Sequence, residues 1–370
     1  MPKILFVTTS FENGAIPNIL ADLAPHWLAM GLEFEALTLE AIPEDHASVR
    51  RWRSLGLTLS SLNLRSRDTW QAVGPLRKAL KALAPDLVHT HLGRADIYTA
   101  WAKKNLPQVT TFHSVKRNAG RATLWGWKLT DRRVAHRTGV SQASLDSFYA
   151  NGFLASPHSV IYNPVEPKRL APQRTRQEVL ATWGWGNEVR LLCAVGRLVP
   201  VKGHADLLTA FAQLAQHDEH LRLVIAGDGP LQETLTQQIE ALGLTGKAVL
   251  AGGWDGVGDL YRAAELLVFP SHWEGLGLVP LEALACGCPV ASARLPAVQE
   301  FLSEGETGWF FEPEDAQDMA RVVGQVLSQP EQARLAAQKG QAMVYERFDP
   351  AVIAQKYFQL YEQILLRSST

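Results

Sequence analysis

The chain has 370 residues, enough for two domains of ordinary size. Apolar residues make up 46% and charged residues 20%, the balance of a folded globular protein, and a net charge of −1 argues against a nucleic-acid-binding protein. Three cysteines, Cys193, Cys286 and Cys288, lack the number and spacing of a disulfide framework or a zinc site, and read as buried free thiols suited to a reducing cytoplasm. The first apolar run enters a strand at Lys3 with no signal-peptide core before it. No stretch is apolar for long enough to span a bilayer.

Short apolar strands alternate with amphipathic helices from end to end, a pattern that predicts an α/β protein with parallel sheets covered on both faces. In the first half, strands are expected at about 3–8, 34–39, 57–62, 86–91, 108–112, 138–140 and 159–162. A helix over 17–30 is punctuated by Pro17 and Gly31. Three prolines between Asn163 and Gln173 forbid regular structure there and mark a domain crossover. Strands restart at 190–196, 221–226, 247–250, 266–269, 289–292 and 308–311, with helices expected from His204 and Pro230. A last helix begins at Asp349-Pro350. The first domain is thus residues 1–165 and the second 166–349. Charge divides between them: up to Val165 there are 19 Lys and Arg against 12 Asp and Glu, and beyond it 17 against 25, so the two halves face different partners.

The stretch 270–289, PSHWEGLGLVPLEALACGCP, carries the sharpest chemical signal. A predicted buried strand runs into a glycine-rich loop and then a helix start, with Pro280 in its first turn. The amides of Gly275, Leu276, Gly277 and Leu278 stand at the positive end of a helix dipole, a seat for phosphate. Glu274 and Glu282 would repel a phosphate, but they can accept hydrogen bonds from hydroxyls. The loop therefore reads as a nucleotide-sugar site, with a diphosphate on the amides, a ribose on Glu282 and a hexose on Glu274.

Two cations flank a second strand end, Arg197 after Gly196 and Lys202 before Gly203. In an open α/β sheet ligands bind at the carboxyl ends of strands, and cations fixed there offset the charge of a departing diphosphate. Gly227 and Gly229, in the turn GDGP, either line a nucleotide pocket or serve as structural punctuation. His89, His91 and His113 fall at strand ends, where His113 is a candidate for orienting a sugar hydroxyl and the other two read equally as core histidines. From His113 to Arg137 seven cations meet one acid, Asp131, with Trp125 and Trp127 among them, which matches a membrane-surface segment or a site for an anionic acceptor.

The pattern from Pro270 to Val290 closely resembles the E-x7-E signature of the retaining GT-B glycosyltransferases known as group 1 or GT4, with Leu276 where that family commonly has Phe. The G-R-L-x-x-x-K-G pattern over 196–203, the G-x-G-P turn at 227–230 and the T-F-H at 111–113 resemble the same family. The resemblance implies a GT-B fold of two Rossmann-like, doubly wound domains facing a cleft, with the last helix, 350–370, returning to the first domain. The first domain would bind the acceptor and the second the donor. It implies that Arg197 and Lys202 contact the donor diphosphate and that His113 lies near the transferred sugar. The loop after the first strand, SFENGA, would close over the diphosphate. Asn13-Gly14 stands there in place of the family's G-G, so Gly14 is a candidate diphosphate contact. No G-x-G-x-x-G follows this strand, which argues against a nicotinamide dinucleotide. No D-x-D is present, and no metal or other cofactor is expected. The implied activity is hexosyl transfer with retention from a UDP-sugar to the hydroxyl of a glycan or lipid-linked acceptor, as in cell-envelope polysaccharide biosynthesis. The expected place of action is the cytoplasm, with peripheral contact at the inner face of the plasma membrane through 113–137. The alternatives are a sugar-nucleotide epimerase of the same fold and a non-catalytic sugar-nucleotide-binding subunit.

Overall fold

The computed structural model describes residues 2–11, 15–65, 68 and 70–368. The chain divides into two compact units, one comprising 1–164 with 348–370 and the other 165–347. Each is a parallel sheet flanked by helices.

Unit 1 contains strands β1 (Lys3–Thr8), β2 (Glu33–Thr38), β3 (Leu59–Ser61), β4 (Leu87–His91), β5 (Gln108–Phe112), β6 (His136–Gly139) and β7 (His158–Val160). They lie in the order β3-β2-β1-β4-β5-β6-β7, all parallel. The helices are α1 (Ala15–Ala29), α2 (Ala47–Ser54), α3 (Val73–Leu83), α4 (Gly93–Ala102), α5 (Arg121–Thr130) and α6 (Gln142–Tyr149). β1 and β4 are buried along nearly their whole length, because a central parallel strand is covered on both faces; β1 reads as an apolar run, whereas β4 buries His89, Thr90 and His91.

Unit 2 contains α7 (Arg176–Ala181), β8 (Arg190–Val195), α8 (His204–Leu214), β9 (Leu221–Ala226), α9 (Gln232–Ala241), β10 (Ala248–Gly252), α10 (Val257–Ala263), β11 (Leu266–Phe269), α11 (Leu278–Ala285), β12 (Val290–Ala293), β13 (Trp309–Phe311), α12 (Ala316–Leu327) and α13 (Pro330–Arg347). Its strand order is β10-β9-β8-β11-β12-β13, again all parallel. The final helix, α14 (Pro350–Ser368), belongs to unit 1 and packs on α1, where Trp27 Nε1 donates to the Ala354 carbonyl at 3.2 Å.

In both sheets the strand order turns back at the centre, between β1 and β4 in unit 1 and between β8 and β11 in unit 2. Loops leaving the carboxyl ends of such a pair diverge to opposite faces and open a crevice, the place where doubly wound sheets bind ligands. The loop after β8 carries Arg197 and Lys202, and the loop after β11 carries Glu274 through Gly277.

Some local expectations need correction. The segment 163–173 is not wholly irregular: Pro167–Leu170 form a 3₁₀ turn, with Glu166 capping the Lys168 amide at 3.0 Å. Proline disrupts a helical interior but suits its first turn, and Pro167 sits there. The helix expected from Pro230 starts at Gln232. Of the three free thiols, Cys193 and Cys288 are buried and Cys286 is only half-buried. Among the described residues no helix is long and apolar enough to cross a membrane.

Candidate functional site

The site in unit 2 is built by two loops locked together. Gly203 adopts φ +64°, and a Cβ placed on it would stand 2.1 Å from the Pro270 carbonyl oxygen. Only glycine fits that approach, so the loop after β8 touches the loop after β11 backbone to backbone. The His272 amide donates to the Val201 carbonyl at 2.8 Å, and the His272 ring meets Asp206 at 2.9 Å. The result is that Lys202 Nζ lies 2.5 Å from Glu274 Oε1, with both side chains largely buried and the ammonium 5.7 Å above the Phe269 ring. Arg197 is exposed, and its guanidinium has no partner among the described residues. His204 is buried at the start of α8, and burial pushes its pKa down to about 4 against the opposing pull of the Gly196 backbone.

Gly277 caps α11 with φ +94°, which turns the chain so that the first-turn amides of the helix point outward with no acceptor inside it. Gly275 and Leu276 are buried beneath the turn, and Leu278 opens the helix. Glu282 lies one turn further on. Its Oε1 is 3.5 Å from an Arg169 nitrogen, and its Oε2 accepts from the Tyr261 hydroxyl at 3.3 Å. Arg169 and Tyr261 were not singled out by sequence reasoning. Neither sits in a recognisable motif, and only the packing of the 3₁₀ turn 167–170 and α10 against α11 brings them there.

Gly227 and Gly229 have a structural reason of their own. A Cβ at Gly227 would lie 2.0 Å from the Gly196 carbonyl oxygen, and one at Gly229 2.5 Å from that of Leu198. The turn after β9 is thereby pressed on the loop that carries Arg197, with Leu198 donating to the Asp228 carbonyl at 2.9 Å. These glycines shape the site through that loop.

In unit 1 the three histidines form one cluster at the carboxyl ends of β4 and β5. His91 Nδ1 and His113 Nε2 are 2.8 Å apart, and His89 is held between the Tyr361 hydroxyl and Thr111 Oγ1, both at 2.6 Å. Burial pushes His113 down to about 4 and, with help from His113, His89 to about 3; His91 is lowered for the same reasons. All three are neutral at pH 7, so in the His91–His113 bond one ring nitrogen donates and the other accepts. His113 Nδ1 and His91 Nε2 are buried without a partner among the described residues, leaving His113 one ring nitrogen for a ligand. Next to the cluster, Leu92 holds φ +76°, a strained conformation for a branched side chain and typical of functional loops. Gly14 and Asn13 lie outside the described residues. Of the two tryptophans in the basic segment, Trp127 is buried with its Nε1 donating to Asp96 at 3.0 Å, whereas Trp125 is 68% exposed.

Residues 175–343 match the family model described as glycosyl transferases group 1, and residues 16–169 match that of glycosyltransferase family 4. The chain is 26% identical over 238 residues to the N-acetyl-alpha-D-glucosaminyl L-malate synthase of Bacillus anthracis, a stretch covering 62% of each protein. It is 29% identical over 283 residues to the D-inositol 3-phosphate glycosyltransferase of Rhodococcus opacus, covering 70% of this chain and 62% of that one. The matches thus span about three fifths of the length of these relatives. Among solved structures, Anabaena Alr3699/HepE in complex with UDP and glucose superposes with a TM-score of 0.87 at 22% identity, over 98% of this chain and 100% of that one. That likeness fixes the fold as GT-B. The two family models cover successive halves of the chain, and the chain belongs to the group 1, family 4 glycosyltransferases.

Proposed function

We propose that the protein transfers a hexosyl group from a nucleotide diphosphate sugar to an acceptor hydroxyl, with retention of anomeric configuration. The observation that carries this reading is the junction of Lys202 with Glu274 at 2.5 Å, beside the amides that open α11. It puts a cation and helix amides suited to a diphosphate next to a carboxylate suited to sugar hydroxyls. Family membership supports the same reading, and the UDP held by the Anabaena neighbour favours uridine as the base.

In this mechanism the donor diphosphate rests on Arg197, Lys202 and the amides of 275–278, which offset the charge that grows as the glycosidic bond breaks. Glu282 receives the ribose hydroxyls. Glu274 is assigned to orienting the sugar, with His113 as a further candidate for that role and Gly14 as a candidate diphosphate contact. The acceptor hydroxyl attacks from the face the diphosphate leaves and passes its proton to a phosphate oxygen. Charge compensation is assigned to protein groups throughout. The acceptor is read as a glycan or lipid-linked hydroxyl, and unit 1 as making peripheral contact with a membrane. The cations around the exposed Trp125 support that contact.

A panel of nucleotide sugars should contain one that raises the melting temperature, because a ligand bound only to the native state stabilises it. With that donor, NMR of the product should show the donor's anomeric configuration. An inverted product would exclude retention. Consumption of the donor without any acceptor would point to epimerisation.

A further inference from the structure

Helices α3, α4 and α5 of unit 1 carry surface charge of one sign. Between Val73 and Arg133 the sequence holds twelve lysines and arginines and three acids. Two of these acids are turned inward: Asp96 accepts from Trp127, and Asp131 from the Ala155 amide at 2.7 Å and Ser156 Oγ at 2.8 Å. The third, Asp86, precedes β4 and accepts from the Lys3 amide at 2.7 Å. Helices α3, α4 and α5 pack side by side, and together they present no carboxylate to solvent.

The cations gather where α4 and α5 end. A groove of about 570 Å³ runs between the 103–107 connection and residues 132–135, lined by Lys103, Lys104, Arg132 and Arg133 and by no acid. Part of this charge has a structural task. Arg133 donates to the Ala100 carbonyl at 3.0 Å and lies 4.3 Å over the Trp101 ring, and Arg77 donates to the Ala102 carbonyl at 3.2 Å, both completing the end of α4. Helix capping leaves the rest unexplained. Among the described residues Lys103 Nζ finds only the neutral Leu106 carbonyl, at 2.8 Å. Lys104 and Arg132 are exposed, with no partner among the described residues. Burial, and then the nearby Arg133, push the Lys103 ammonium down to about 8, the mark of a cation lacking a counter-charge. The groove lies at the amino ends of β5 and β6, the edge of the sheet opposite the histidine cluster, and is separate from the strand ends that serve transfer.

An apolar element adjoins it. Trp125 and Leu129 are one turn apart on α5, exposed at 68% and 58%, with Arg121 and Arg132 at helical spacing on either side. Exposed aromatic and aliphatic side chains within a cationic face are the composition of elements that lie in a lipid headgroup layer.

We infer that this groove binds the phosphate of an anionic phospholipid headgroup, with Trp125 and Leu129 entering the same bilayer surface. The inference deepens the peripheral contact proposed above and rests on it. Charge complementarity selects the lipid's phosphate, and the adjoining apolar pair selects a bilayer over a soluble anion or a nucleic acid.

The test is flotation of the full chain with vesicles of phosphatidylcholine, with and without phosphatidylglycerol. Wild type should float only with the anionic vesicles, and less as salt rises. The double variant Lys104→Ala/Arg132→Ala should partition about 30-fold more weakly, at roughly fivefold per cation near an anionic surface, with an unchanged melting temperature. If wild type does not float, both the membrane contact and the groove assignment fall. If wild type floats and the double variant floats equally well, the contact stands and the groove assignment falls. If inorganic phosphate or a short DNA duplex stabilises wild type but not the variant while vesicles bind neither, the groove is an anion site of another kind and the lipid assignment is overturned.

Discussion

Lys202 Nζ and Glu274 Oε1, 72 positions apart in sequence, meet at 2.5 Å where the loops after β8 and β11 come together. The strands that deliver them are neighbours in the sheet, and Leu192 pairs with Leu266 in register. The junction therefore follows from strand order. Because the chain leaves β8 and β11 toward opposite faces, a crevice opens between them that both loops border.

Removing either partner should disable transfer while sparing the fold. Lys202→Ala and Glu274→Gln should each lower kcat roughly 10²- to 10³-fold, the scale of losing one charge-stabilising group. The fold should survive, but each melting temperature should drop, because removing one partner leaves the other charge unpaired at a largely buried site. The check is initial-rate kinetics with the stabilising donor. Near-wild-type kcat in Lys202→Ala would remove the ammonium from the mechanism.

Glu282 should govern nucleotide affinity. Glu282→Ala is expected to weaken UDP binding, read by calorimetry, about 10- to 100-fold, the worth of hydrogen bonds to a charged acceptor. Tyr261→Phe removes only the 3.3 Å bond that orients this carboxylate, and should weaken binding about threefold. Equal losses in the two variants would mean that Glu282 acts through Tyr261 packing and not on the ribose.

Gly203→Ala tests whether loop contact builds the site. The residue would be forced into φ +64° and its Cβ into the Pro270 carbonyl. We expect a loss of roughly 2–3 kcal/mol, a fall in melting temperature of about 5–10 °C, and weakened UDP binding together. Gly243→Ala, at φ +66° in open space, provides the comparison: strain without a clash, and an unaltered affinity.

Acidification should destabilise unit 1. Buried His89 and His113 have native pKa values of about 3 and 4, and His91 is lowered too, against 6.5 when unfolded. A lowered pKa means the unfolded chain takes up protons first, so stability is full above pH 6.5 and declines as pH falls toward 4. Each histidine contributes up to about 1.4 kcal/mol per pH unit in that window. Asp96 works the other way: burial raises it to about 7, so it favours the native state as pH falls through the same range. His136, which burial also lowers to about 4, adds to them, so four histidines against one carboxyl leave a net slope of up to roughly 4 kcal/mol per pH unit. Thermal melts between pH 7.5 and 5 should show it, and His113→Gln should flatten it. A melting temperature independent of pH would contradict the neutral cluster.

Much was legible before the fold. The alternation of short β-prone runs and amphipathic helices gave β1, β5, β9 and β11 to the residue; β1, β9 and β11 are largely apolar because an internal parallel strand is covered on both faces, while β5 reads as a strand through its β-branched Val and Thr and its Phe. The loop chemistry of 274–282 was legible because helix-start glycines and a first-turn proline are local requirements. The partners of these residues were not. Arg169 and Tyr261 reach Glu282 from elements with no motif, and His89 finds Tyr361 across 272 positions. The role of Gly227 and Gly229 was likewise hidden, since nothing nearby in sequence reveals a carbonyl at 2.0–2.5 Å.

The sequence by itself determined where the strands lie, to within a few residues, and which residue types would suit a diphosphate or a sugar, because turn and periodicity rules act over a few residues. Only the tertiary structure decided which of them meet. Strand order brings Lys202 to Glu274, burial strips the histidines of charge, and the packing of three helices turns scattered lysines and arginines into one cationic face. Those outcomes depend on distances between residues far apart in the chain, and such distances exist only once the sheet has formed.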